Sequence, residues 1–187
     1  MLQIDRENRY LLLYRTDKWY GRFRSYTNAR ELLVRAPHKL LWDQVAVPLV
    51  ARREKLDVLF HTKFTVPLLT SCRTVMVLHG SEWLVYPKFY DWLDVRYVKL
   101  MMPLYLGSAD AVISVSNRAR EDIIKVTHTD PTKIRTVYLA ASEKFKVISD
   151  QSQLLETRDR YQLPEDFVLV VGKDYPGKNI PNILRAF

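Results

Sequence analysis

The chain has 187 residues, 48% of them hydrophobic, with four Trp, eleven Tyr and seven Phe, which is enough to bury a core and excludes a disordered polyelectrolyte. A net charge of +8 favours anionic company, whether nucleic acid, membrane surface or phosphorylated small molecules. Cys72 is the single cysteine, so an intrachain disulfide framework and a cysteine-based zinc site are excluded, and no apolar run approaches the roughly 20 residues of a membrane span.

In chain order, RYLLLYR (9–15) reads as a buried strand between charged flanks and KLDVLFHT (55–62) as a second. RTVMVLHG (73–80) is a third, closed by Gly80, and ADAVISVS (109–116) a fourth. KIRTVYL (133–139), after the turn Thr129-Asp130-Pro131, is a fifth. Helical patterns occupy 38–53, 89–106 and 117–127. Short Val/Ile/Leu runs alternating with helices predict an α/β fold, a parallel sheet with helices on both faces. Residues 142–160 turn polar around SDQSQ and read as a linker into a short helix, after which DFVLVVG starts the alternation again with a strand at 168–171. The expected division is therefore 1–148 and 149–187.

In an open parallel sheet, ligands sit at the carboxyl ends of the strands. His79, in LHGSEW (78–83), falls at that edge with Gly80 and Ser81 beside it, and His61 ends the neighbouring strand in the same way. An imidazole there can act as a base or hold a hydroxyl, or simply bond a loop carbonyl. No H-x-x-x-H, G-x-S-x-G, G-x-G-x-x-G or Walker pattern occurs, so the expected metal is none. Ser116 suits the N-cap of the helix at 117–127, and Arg118 and Arg120 follow in its first turn, either as solvated cations or as partners for an anion.

Along 83–107, Phe89, Leu93, Tyr97, Leu100, Met101 and Leu104 recur at helical spacing, with Lys88, Arg96 and Lys99 between them. The stripe reads most simply as core, and otherwise as a membrane-interface face. The basic residues are scattered rather than gathered in a run, so nucleic acid is not an expected partner. Near the end, Gly172-Lys173, the Pro176-Gly177 turn and Lys178 place two ammonium groups at a strand-to-helix turn, chemistry that suits a diphosphate.

Taken in order, ADAVISVSNRAREDIIK, DPTKIRTVYL and RYQLPEDFVLVVGKDYPGKNIPNILRAF resemble the retaining glycosyltransferases of family 4. VMVLHGSEWLVYP is similar to the strand and loop that carry that family's acceptor-side His. The resemblance implies two Rossmann-like domains across a cleft, with transfer of a sugar from a nucleotide-sugar donor to a glycan or lipid-linked hydroxyl acceptor, with retention and without a cofactor or bound metal. It implies a catalytic His79, a cleft shaped by Gly80, Ser81, Ser116 and Arg118, and a donor diphosphate held at Gly172, Lys173 and Lys178. The lone Cys72 fits a reducing compartment, so the expected place is the cytoplasm, with peripheral contact at the inner face of the membrane as the alternative.

Lys173 stands where the family commonly has Arg, and Leu139-Ala140-Ala141 replaces a frequent Asn-Gly turn. MLQIDRENRYLLLY is similar to the end of the family's first helix and its second strand, so the expectation is a partial transferase, inactive by itself. The rival readings are a non-catalytic Rossmann-like binding or scaffolding module, and a basic nucleic-acid or membrane-surface binder.

Overall fold

A computed structural model describes residues 1–172 and 176–187. The chain forms two compact units, 1–138 and 139–187.

The first unit is a Rossmann-like α/β body of parallel sheets with helices around them. β1 (Tyr10–Tyr14) pairs in parallel with β2 (Ala29–Leu33), Leu12 opposite Glu31. β3 (Val58–His61), β4 (Arg73–Leu78), β5 (Ala111–Ser114) and β6 (Ile134–Thr136) form a second, four-stranded parallel sheet in that order. The sequence reading anticipated one sheet and had no strand at 29–33. ARELL carries two charges and good helix formers, and its strand state comes from pairing with β1 rather than from propensity.

Between β2 and β3 runs a helical stretch made of α1 (Lys39–Leu41), a π-helical turn (Trp42–Ala46) and α2 (Val47–Arg53). α3 (Glu82–Val85) and α4 (Trp92–Ser108) link β4 to β5, and α5 (Asn117–Thr127) links β5 to β6. Alternation on the pleat places Met76, Leu78, Val112 and Ile134 on one face. That face is sealed by Val98, Met102, Tyr105 and Leu106 of α4 and by Ile123 of α5. Val58 and Phe60 of β3, on the opposite face, are exposed.

Two expectations are corrected here. Leu93, Tyr97, Leu100 and Leu104, read as core, face outward, while α4 buries Val95, Val98, Met102, Tyr105 and Leu106. The helix is apolar around most of its circumference, so spacing alone could not choose the inner side. The strand expected at 168–171 does not form, and Val168–Val171 are exposed. An extended segment gains stability by pairing, and the described residues of 139–187 include no other strand. That unit consists of α6 (Gln151–Tyr161), capped by Asp150, a 3₁₀ turn (Pro176–Lys178) and α7 (Ile180–Ala186). None of its described residues is buried.

Candidate functional site at the carboxyl edge

Parallel pairing brings the carboxyl ends of β3, β4 and β5 side by side, with His61 opposite Met76 and Leu78 opposite Ser114. His79 is therefore the first residue beyond the central strand, and it is exposed. Its Nε2 lies 3.3 Å from the carbonyl oxygen of Thr62, which ties the loops after β3 and β4 together. A carbonyl can only accept, so Nε2 donates, and in the neutral ring Nδ1 is then the acceptor that can meet a hydroxyl proton.

Gly80 behind it is buried, and a Cβ there would stand 2.5 Å from both carboxylate oxygens of Glu82. Only a glycine lets that carboxylate fold back over the loop. Ser81 is 4% exposed, and its Oγ has no hydrogen-bond partner, although Ser81 opens α3. A buried hydroxyl without a partner carries a desolvation cost with nothing in return. Ser81→Ala is thus expected to leave stability unchanged or raise it by about 1 kcal/mol. Thermal melts check this, and a clear loss would mean that the hydroxyl holds the fold.

Behind this edge lies a polar group that no motif announced. The π-helical turn carries the buried Asp43, which pairs with Lys39 one turn earlier. Lys39 Nζ also donates to Thr65 Oγ1 at 3.3 Å. Gln44 clamps the loop after β3, donating to the Val66 carbonyl and accepting from Leu68 N–H, each at 2.9 Å. His61 shares the electrostatics of this group, and its Nε2 is buried without a partner. The Lys39–Asp43 spacing of four on a helical pattern was the one sequence signal available for it.

Burial holds His61 below its ordinary pKa, and the Asp43 carboxylate only partly offsets that. The unfolded chain therefore takes up this proton first as pH falls below about 6.5. Stability is expected to be full above that value and to decline below it until the folded His61 also protonates. Melting temperatures between pH 7.5 and 5.5 should fall less steeply for His61→Gln than for the unaltered chain. Identical slopes would remove His61 as the cause.

β5 delivers the next candidates. Ser116 caps α5, its Oγ accepting from Ala119 N–H at 3.0 Å, and it stands beyond the strand next to His79's. Arg118 is exposed and pairs with Asp122 at 3.2 Å, an interaction of little weight at a surface. Arg120 is half-buried and donates to the carbonyls of Ile134 and Pro131, which fastens α5 to β6.

In the second unit, the Lys178 stem passes over Gly172, its Cε 3.3 Å from where a Cβ would be. Lys178 closes the 3₁₀ turn, and Asn179, at φ +55°, separates it from α7. Lys173 lies outside the described residues. Among the described residues, no three His, Cys, Asp or Glu side chains could hold a metal ion. A hollow of about 540 Å³ beside β1 and β2, lined among others by Arg15, Leu33 and Arg35, shares no residue with the edge at His79.

Comparison with known proteins gives a match between residues 10–142 and the model of Glycosyltransferase Family 4. The chain is 26% identical over 175 residues to the O-antigen chain mannosyltransferase B of Escherichia coli, covering 90% of this chain and 43% of that protein. It is 29% identical over 126 residues to a serotype-specific mannosyltransferase WbdA of the same organism, covering 65% of this chain and 15% of that one. The chain thus spans less than half the length of these relatives. The matched span includes every edge residue from His61 to Arg118.

Proposed function

The chain belongs to glycosyltransferase family 4, and from that membership we propose that it carries the acceptor-side part of an enzyme that transfers a sugar from a nucleotide-sugar donor to a hydroxyl of a glycan or lipid-linked acceptor. The sugar is mannose, by the names of the two relatives. What supports the reading is the edge inside the matched span, where His79 stands exposed at the end of the central strand with its ring held by the Thr62 carbonyl.

In the reaction, the bond from the anomeric carbon to a diphosphate oxygen breaks and a bond to the acceptor oxygen forms on the same face. The acceptor's proton passes to Nδ1 of His79 and from there to the departing diphosphate. His79 orients the acceptor hydroxyl and shares the charge that develops there. Gly80 makes room for the Glu82 carboxylate to fold over the loop behind His79. Ser81 shapes the loop from its buried position, and Ser116 and Arg118 border the acceptor from the next strand. Lys178 and Lys173 neutralise the charge growing on the diphosphate, without a metal ion. The protein works in the cytoplasm at the inner face of the membrane.

Calorimetry with a panel of sugar nucleoside diphosphates tests the donor side. Lys178→Ala is expected to weaken binding by about tenfold, the order of one charge-assisted hydrogen bond. The loss should exceed that of Lys173→Ala, because the Lys178 stem is held over Gly172. Equal losses overturn the ranking. If a chain carried on to the length of the relatives bound no sugar nucleotide, the function itself would be overturned.

A further inference from the structure

Two loops meet at the carboxyl edge, 62–72 after β3 and 79–81 after β4, and they are joined at two points. The Thr62 carbonyl holds the His79 ring. Two residues further on, Phe64 packs against Trp83 of α3, with ring centroids 5.3 Å apart. The place of the imidazole therefore follows the place of the loop after β3.

That loop is held in turn by the π-helical turn Trp42–Ala46. Pro48 has no N–H to give to the Gln44 carbonyl four residues before it, and the Val47 N–H reaches back five residues to Trp42. Gln44 lies in the middle of this wide turn and is half-buried. Its Nε2 donates to the Val66 carbonyl and its Oε1 accepts from Leu68 N–H, each at 2.9 Å. A carbonyl only accepts and an N–H only donates, so the amide has one orientation. Thr65, Val66 and Pro67 are buried, and loop backbone in such a place has no strand ladder to satisfy it. The Lys39 bond to Thr65 Oγ1 at 3.3 Å adds a second tie.

We propose that Gln44 is a positioning residue for His79, acting through the loop 62–68 to hold the Thr62 carbonyl, and with it the imidazole, in place for the acceptor hydroxyl. The role deepens the transfer reaction proposed above and rests on it. Gln44 ends on Val66 and Leu68, so it acts on the reacting atoms only through the loop. The position asks for a donor and an acceptor at one length. A glutamate lacks the donor and a methionine lacks the N–H altogether. Misplacing a reacting group by about 1 Å can cost about 10²-fold, and partial release of the loop should cost a fraction of that.

A double-mutant cycle tests this on a chain carried on to the length of the relatives. Gln44→Met, close in volume, is expected to lower kcat about tenfold with KM changed by less than about twofold. Gln44→Glu, which keeps an acceptor for Leu68 N–H, should fall between it and the unaltered chain. In a His79→Ala background, Gln44→Met should cost less than about twofold more, because no imidazole is left to misplace. Equal losses in both backgrounds overturn the proposal and leave Gln44 a role in fold stability alone. A second readout needs no turnover. NMR of the imidazole nitrogens in the 187-residue chain, at about pH 8.5 and with His79→Gln to assign the signals, reports which nitrogen carries the proton. The unaltered chain is expected to hold His79 in the Nε2–H form, and Gln44→Met to show a mixture of both forms. An unchanged ring overturns the proposal. If the longer chain transfers no sugar, the reaction fails and the ring measurement still decides whether Gln44 positions His79. Should Gln44→Met not fold, Gln44→Glu carries both measurements.

Discussion

Replacing His79 with alanine is expected to lower the rate of sugar transfer by about 10²-fold or more, the low end of the range for a positioned acid–base group. His79 stands exposed at the end of the central strand of the four-stranded sheet, where the carboxyl edges of β3 and β5 flank it. Its Nε2 is occupied by the Thr62 carbonyl, which fixes the ring and turns Nδ1 outward as an acceptor. Alanine removes both the acceptor and the tie between the two loops. His79→Gln separates these losses, because its amide can keep a hydrogen bond to Thr62 but cannot take up a proton. The measurement is kcat and KM on a chain carried on to the length of its relatives. A fall in kcat for both variants is the expected result, and near-normal turnover in either takes proton transfer at His79 out of the mechanism.

Ile123→Ala is expected to cost about 2–5 kcal/mol, a large part of the roughly 5–15 kcal/mol that holds an ordinary domain together. Ile123 is fully buried and lies in the cluster with Met76, Val112 and Ile134, where it is the one large side chain that α5 commits wholly to the core. A cavity at that point loosens the helix whose first turn presents Ser116 and Arg118. Urea denaturation with an unchanged m-value should report the loss as a shift in midpoint. Arg118→Ala is the internal comparison, within about 0.5 kcal/mol of the unaltered chain, because its ion pair with Asp122 is exposed. A cost below about 1 kcal/mol for Ile123→Ala would mean that the core closes over the gap.

The strands β1 and β3 to β6 were legible because each is a short Val/Ile/Leu-rich run bounded by a turn, and α5 because Ser116 marks its start. β2 was not, since Arg30 and Glu31 conceal it and only β1 makes it a strand. The segment Val168–Val171 erred the other way, with strand composition but no neighbour to pair with among the described residues of its unit. For α4, the sequence revealed a helix but not its orientation, because both sides are apolar and the core chose Val98, Met102 and Tyr105.

At the edge, His79, Gly80 and Ser81 could be located because a strand's end is a place that sequence can name. Lys39, Asp43, His61 and Thr65 could not be grouped, since Lys39 and Thr65 are 26 positions apart and meet only once the π-helical turn faces the loop after β3. Arg120 illustrates the same limit. Its carbonyl partners on Pro131 and Ile134 exist only after α5 has docked.

The Glu82 carboxylate folded over Gly80 has a bearing on how this loop can drift over generations. The two positions are coupled, because any side chain at 80 turns the flexible end of Glu82 aside, whereas a change at 82 frees 80 to vary. A lineage that gained bulk at position 80 while still carrying Glu82 would have swung a negative charge away from the loop beside His79, altering the electrostatics of the edge without touching the imidazole.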